Sequence, residues 1–222
     1  MTDDGSSRIG RFITFEGTDG CGKTTQMTLL ADRLRTEGYE VVETQEPGGT
    51  NIGLQIRRIL LDSENGAICP TAEMLLYFAA RAQNFDRVIL PAWERGAVVL
   101  SDRFTDSTLA YQGDGRGLGQ NVVLTLHDIA CHGLQPDLTI CIDIDLETAL
   151  ERARARNRDR QTRDRMDEET AEFHNRVRQA YLKLGEMYPE RIRIIDGRGR
   201  LDDVAARVWA AVKPVLREPS HV

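Results

Sequence analysis

The stretch FEGTDGCGKTT, Phe15 to Thr25, constrains the fold more than any other part of the chain. Within it, Gly17-Thr18-Asp19-Gly20-Cys21-Gly22-Lys23-Thr24 fits G-x-x-x-x-G-K-[ST] at every fixed position. Such a loop needs a strand before it and a helix after it. The glycines let backbone N–H groups close on phosphate oxygens, and the helix N-terminus adds the positive end of its dipole. Both flanks comply: RFITFE (Arg11–Glu16) is a strand-like run, and Met27, Leu30, Ala31 and Leu34 follow at helical spacing, with Gly38 as a C-cap. Lys23 is placed to reach terminal phosphates and Thr24 to offer a hydroxyl to Mg²⁺. Cys21 reads as a small filler, or as a thiol that a helix N-terminus could activate. Asp19 does not fit the scheme, because a carboxylate repels phosphate. It needs another partner.

Four more β-branched, apolar runs recur along the 222 residues: Glu40–Thr44, Ala97–Ser101, Leu138–Asp143 and Arg191–Ile195. Their lack of alternation predicts strands covered on both faces. Helical patterns lie between them, over roughly Ile52–Leu61, Thr71–Ala92, Val122–Cys131, Leu146–Arg156, Ala171–Glu186 and Leu201–Val215. The alternation predicts an α/β, three-layer fold with a five-stranded parallel sheet. It forms a single domain over 11–216, preceded by a polar tail over 1–10. The net charge of −6 argues against a nucleic-acid partner. The first ten residues lack a signal-peptide core, and no run of about 18 apolar residues predicts a membrane span. Cys21, Cys69, Cys131 and Cys141 have neither zinc nor disulfide spacing, which points to the cytoplasm.

Ligands of such sheets sit beyond the carboxyl ends of the strands. After the second strand come Glu46-Pro47-Gly48-Gly49-Thr50 and a helix with Arg57 and Arg58. These read as an ordinary turn with a solvated pair, or as an arginine clamp on a second phosphate. After the third comes Asp102-Arg103-Phe104. Asp102 is placed to hold Mg²⁺ through water or to orient a nucleophile, and Arg103 to bridge two phosphates; a capping acid beside a surface arginine is the plainer alternative. TDSTLAYQGDGRG (Thr105–Gly117) supplies hydroxyls, Gln112 and a flexible glycine tail. Tyr77 and Arg81, four apart on one helix edge, suit either a core margin or a base-stacking ring with a guanidinium on the base rim. In ERARARNRDRQTRDR (Glu151–Arg165) Arg152 and Arg156 share a helix face and Arg154 does not. This is a solvated, salt-bridged surface or an arginine lid, about 151–166, that closes over a transferring phosphoryl group. The chain has no N-K-x-D segment of the kind a guanine-reading switch requires.

Taken in order, FEGTDGCGKTT, EPGGT, SDRF, STLAYQGDGRG, PDLTICID and LERARARN resemble the bacterial thymidylate kinases, a P-loop nucleoside-monophosphate kinase family, from about Arg11 to Val215. The resemblance implies the reaction ATP + dTMP → ADP + dTDP with Mg²⁺, and a homodimer. It implies that Gly17–Thr24 bind the ATP phosphates, with Lys23 catalytic, and that Thr24 and Asp102 serve the metal. Arg57 and Arg103 would hold the dTMP phosphate, and Arg81 the thymine rim against the ring of Tyr77. Ser107, Thr108 and Gln112 would face the nucleoside, Tyr111 would exclude a ribose 2′-OH, and Asp19 would meet the sugar 3′-OH. Gly20 stands where one branch of the family has arginine, so the resemblance is to the branch whose catalytic arginine lies in the lid, here Arg156. Three departures are the Tyr77 ring, often phenylalanine; Gln45, where arginine commonly precedes EPGGT; and a lid longer than the short bacterial pattern, with Arg152, Arg158 and Arg160 as substitutes.

Overall fold

Parallel pairing in the order β2-β3-β1-β4-β5 builds the sheet from β1 (Arg11–Glu16), β2 (Val41–Gln45), β3 (Val98–Asp102), β4 (Leu138–Asp143) and β5 (Ile192–Asp196). The computed structural model describes residues 10–160, 165–166 and 168–216. Residues 1–9 of the polar tail over 1–10, the lid positions 161–164 and residue 167 lie outside these described residues, as does the side chain of Arg160. The register decides where the site forms. Phe15 pairs with Asp102, and Gln45 pairs with Asp102 from the other side. The chain therefore leaves β1, β2 and β3 along one edge, and the phosphate loop, the Glu46–Thr50 turn and Arg103 meet there. Three strands begin one residue later than the sequence pattern suggested, at Val41, Val98 and Ile192.

Side chains alternate between two cores. On one face Ile13, Phe15, Leu100, Ile140 and Ile142 pack against α1 (Lys23–Thr36) and α9 (Leu201–Val212) through Leu30, Leu34, Val204 and Val208. On the other face Phe12 and Val99 pack against α3 (Pro70–Asn84), α6 (Gln120–Cys131) and α8 (Ala171–Met187) through Phe78, Val123 and Val177. This second face is less apolar than the sequence runs suggest. Thr14 and Thr139 share a hydrogen bond at 2.9 Å, and Glu16 is wholly buried there.

The remaining helices are α2 (Asn51–Leu61), α4 (Leu90–Glu94), α5 (Thr105–Thr108) and α7 (Leu146–Arg160). The helix expected over Thr71–Ala92 is interrupted. A π-helical segment, Phe85–Ile89, joins α3 to α4. Pro91 offers no N–H and crowds the preceding turn, and the wider π turn accommodates it. The segment expected to end in a flexible glycine tail is also ordered: α5 passes into a π-helical turn, Leu109–Gly115, with Arg116 N–H donating to Tyr111 O at 2.8 Å. Among the described residues no helix is long and apolar enough to cross a membrane.

Asp106 on α5 is buried and bound at both oxygens by Arg191, at 2.6 and 2.8 Å. Removing one partner of a buried pair strands the other charge. Arg191→Met is expected to lower the unfolding free energy by about 3 kcal/mol, measured by urea denaturation.

Candidate active site

The phosphate loop takes its shape from close backbone approaches. Gly17 has φ +128°, and a Cβ there would lie 2.4 Å from Ile142 O. Gly20 has φ +82°, and its Cβ would lie 2.0 Å from Ala149 O on α7. The lid helix thus packs its backbone directly on the loop, leaving no room for an arginine at position 20. Gly17 and Thr18 sit behind the lining of the cleft, with Thr18 O accepting from Cys21 N–H at 3.3 Å. Asp19 to Thr24 line it, together with Arg58, Asp102, Arg152 and Arg156. Arg154 and Arg158 line a groove elsewhere on α7 and not the cleft, Arg152 borders both, and Arg156 borders the cleft alone. Burial pushes the Cys21 thiol up, against the opposing charge of Lys23, so Cys21 is the inert filler rather than an activated thiol.

Thr24 Oγ1 donates to Asp102 Oδ2, while Asp102 Oδ1 is buried with no protein partner. A hydroxyl and a carboxylate with a remaining acceptor form a donor set that suits a hard divalent cation.

Arg103 follows β3 with φ +75°, a backbone conformation that a non-glycine residue rarely adopts. That turn aims its guanidinium between two cavities. Nη1 donates to Gly17 O at 3.2 Å, Ser107 Oγ at 2.9 Å and Tyr181 OH at 3.1 Å; Nη2 donates to Asp19 Oδ1 at 2.9 Å and Tyr111 OH at 3.2 Å. Asp19 also accepts from Tyr111 OH at 3.0 Å and from Lys23 Nζ at 3.4 Å. Burial alone would raise the Asp19 pKa, but the charges of Arg103 and Lys23 outweigh it and hold the carboxyl well below its usual range. Asp19 and Arg103 line both the cleft and the second cavity, as does Arg57, which donates to Pro47 O at 2.9 Å.

The second cavity is walled by Tyr77 and Arg81 from α3, by Ser107, Thr108, Tyr111 and Gln112, and by Met166 at the end of the lid. Phe78, next to Tyr77, is a core residue instead. Arg81 is the largest fully buried side chain among the described residues. Its Nε donates to Glu46 Oε2 at 2.6 Å and its Nη2 to Phe104 O at 3.0 Å, whereas Nη1 has no protein partner. The Ser107 hydroxyl is engaged by Glu16, Tyr181 and Arg103 although the residue borders the cavity.

Sequence reasoning missed the acids beneath this arrangement. Glu16 accepts from Phe104 N–H at 2.7 Å and Tyr181 OH at 2.9 Å; Glu46 holds Arg81; Glu73 holds Gln112 and Arg116. Glu16 and Glu46 carried a usable signal, since an acid at the end of a doubly covered strand must find partners. Glu73, Arg116, Tyr181 and Arg165 carried none, because their partners are far away in sequence.

A phosphate loop after the first strand, arginines on a helix that caps it, and a second polar cavity sharing an ion pair with it are the parts of a P-loop kinase with separate donor and acceptor sites. The comparisons with known proteins narrow this. The profile of the thymidylate kinase family matches residues 15–208. The chain is 49 % identical over 216 residues to a thymidylate kinase of Pelobacter propionicus, covering 96 % of this chain and 99 % of that one. It is 50 % identical over 202 residues to one of Geobacter sulfurreducens, covering 90 % and 95 %. The crystal structure of thymidylate kinase from Ehrlichia chaffeensis superposes with a TM-score of 0.73 at 31 % identity, covering 92 % of this chain and 99 % of that one. The chain belongs to the thymidylate kinase family.

Burial, with the Asp106 charge, raises the Glu16 pKa from 4.5 to about 7, against the pull of Arg103. Between those values the folded state holds the extra proton, so stability falls as pH rises through the window and levels off above it. Glu16→Gln is expected to flatten this dependence between about pH 5 and about pH 8, read from urea unfolding at both.

Proposed function

We propose that the cleft binds ATP, that the second cavity binds dTMP, and that the chain transfers the γ-phosphoryl group of ATP to dTMP, giving dTDP for deoxynucleotide synthesis. The observation that carries the reading is the Asp19–Arg103 pair bordering both cavities. An arginine at that boundary can hold donor and acceptor phosphates together. The charge of Asp19 is taken up by Arg103 and Lys23, and in this reading its carboxylate meets the sugar 3′-OH, with Tyr111 beside it. Gly17–Thr24 cradle the ATP phosphates, and Lys23 neutralises their charge. Arg57 assists Arg103 on the dTMP phosphate. Tyr77 stacks on thymine, while Arg81, Thr108 and Gln112 contact its rim; Ser107 steadies Arg103. Thr24 and Asp102 would hold Mg²⁺, which when bound neutralises phosphate charge. The dTMP phosphate is already nucleophilic at neutral pH, so catalysis rests on positioning and charge stabilisation.

Arg156 is the catalytic lid arginine in this reading. It borders the cleft on the face it shares with Arg152, and the Gly20–Ala149 contact leaves the loop no arginine of its own. A homodimer is supported by exposed Leu75 on α3 and by Val122 and Ile129, seven apart on the adjoining α6. The unpaired thiols of Cys21, Cys69, Cys131 and Cys141 suit the cytoplasm.

A coupled assay across dTMP, dUMP, UMP, CMP, AMP and thymidine tests the acceptor. dTMP is expected to give the highest kcat/KM, and preference for another acceptor refutes the reading. Arg156→Ala is expected to lower kcat by about 10³-fold with little change in the dTMP KM. Steady-state kinetics check this, and an unchanged kcat removes Arg156 from the mechanism.

A further inference from the structure

Glu73, on α3, is wholly buried behind the acceptor cavity and gathers three side chains from two distant segments of the chain. Gln112 Nε2 donates to its Oε1 at 2.8 Å. Arg116 donates to both oxygens, from Nε at 3.1 Å and Nη2 at 3.0 Å. Arg165, at the end of the lid, places Nη2 2.6 Å from Oε2 as an ion pair off the hydrogen-bonding direction. Arg165 is itself anchored to the end of α2, through its N–H to Leu61 O at 3.0 Å and its Nε to Leu60 O at 3.1 Å. Its neighbour Met166 and its partner Leu61 both line the cavity.

These contacts fix the direction of an amide. An ionised carboxylate only accepts, so Gln112 must turn its NH₂ toward Glu73. The opposite rotamer would press two acceptors together in a buried site. The amide carbonyl, Oε1, is therefore the end Gln112 keeps for the cavity it lines. Arg81 is fixed in the same manner by Glu46 and Phe104 O, and its remaining nitrogen, Nη1, is a donor. Arg81 and Gln112 both line the cavity, so its wall holds one residue with a locked donor to spare and one with a locked acceptor. A C=O beside a ring N–H, as in an imide pyrimidine, complements that pair. An amino group beside a bare ring nitrogen, as in cytosine, opposes it at both atoms.

We propose that Glu73 is the positioning residue for base selection: by fixing the Gln112 amide it selects a pyrimidine with a ring N–H, and it ties this reading head to the end of the arginine lid. The proposal rests on the cavity being the dTMP site. It goes beyond that assignment by giving discrimination to a residue outside the cavity lining.

The test is Glu73→Gln, which keeps the shape but can donate or accept, freeing Gln112 to adopt either orientation. The ratio of kcat/KM for dTMP to that for dCMP is expected to fall about tenfold or more, with the ATP KM within about twofold. An equal loss with both acceptors would make Glu73 merely structural and overturn the proposal. Arg165→Met keeps the Glu73–Gln112 bond, so it is expected to slow both acceptors equally; a fall in the ratio matching that of Glu73→Gln would overturn the assignment to Gln112. A second measurement uses the unaltered protein and does not depend on the variant folding. The Gln112 side-chain amide protons, observed by nuclear magnetic resonance after ¹⁵N-glutamine labelling, are expected to be protected from solvent exchange. Exchange at the rate of an exposed glutamine would overturn the proposal. Failure of the underlying reading is distinguishable, because it would appear in the wild type as no preference for dTMP over dCMP.

Discussion

The ion pair between Asp19 and Arg103 is the contact on which the rest of the site depends. Asp19 belongs to the phosphate loop, and Arg103 to the turn after β3. Their 2.9 Å contact joins two loops that the sheet register has only brought near. Tyr111 completes the cluster by donating to Asp19 and lying under the guanidinium, 5.0 Å from its ring centroid. A carboxylate that looks misplaced in a phosphate loop thereby becomes the anchor of an arginine. The left-handed backbone at Arg103 is a local cost of the kind that functional sites carry when the surroundings over-determine them. Here the surroundings are five hydrogen bonds from one guanidinium.

Behind that pair lies a layer of buried acids. Glu16, Glu46 and Glu73 are almost wholly inaccessible, and each holds groups that border a cavity. Glu16 fixes Phe104 N–H and Ser107 at the foot of Arg103, Glu46 fixes Arg81, and Glu73 fixes Gln112. Burying a charge is unfavourable unless it is paired, and paired charges in a low-dielectric interior have few alternative partners. The same desolvation that opposes these acids therefore makes their partners immobile. Preorganised polar groups of this kind do not have to reorient when a charged ligand arrives.

The lid shows how a steric contact sorts chemical roles. Because Gly20 touches the backbone of α7 at Ala149, the helix rests on the phosphate loop. Its 3.6-residue repeat then turns Arg156 toward the cleft and Arg154 and Arg158 toward another groove, with Arg152 between the two. The packing at Gly20 keeps an arginine out of the loop, and Arg152 and Arg156 of the lid border the cleft instead.

The sequence by itself determined the parallel α/β sheet, because continuous β-branched runs alternating with 3.6-period segments leave few other ways to bury both. It also determined the phosphate loop, whose glycines, Lys23 and Thr24 act locally, and the shared face of Arg152 and Arg156, which periodicity alone dictates. Only the tertiary structure decided the rest. The π turns at Phe85–Ile89 and Leu109–Gly115 depart from the period that makes helices readable. Tyr77 faced the cavity and Phe78 the core only once α3 had docked on the sheet. Arg81 and Gln112 were legible as polar residues on suitable elements, but not as a locked donor and a locked acceptor. Their orientations come from Glu46 and Glu73, which lie 35 and 39 residues away. Local patterns record which backbone hydrogen bonds close nearby; the partner of a buried charge is chosen by the packing of distant elements, and no short stretch of sequence carries that choice.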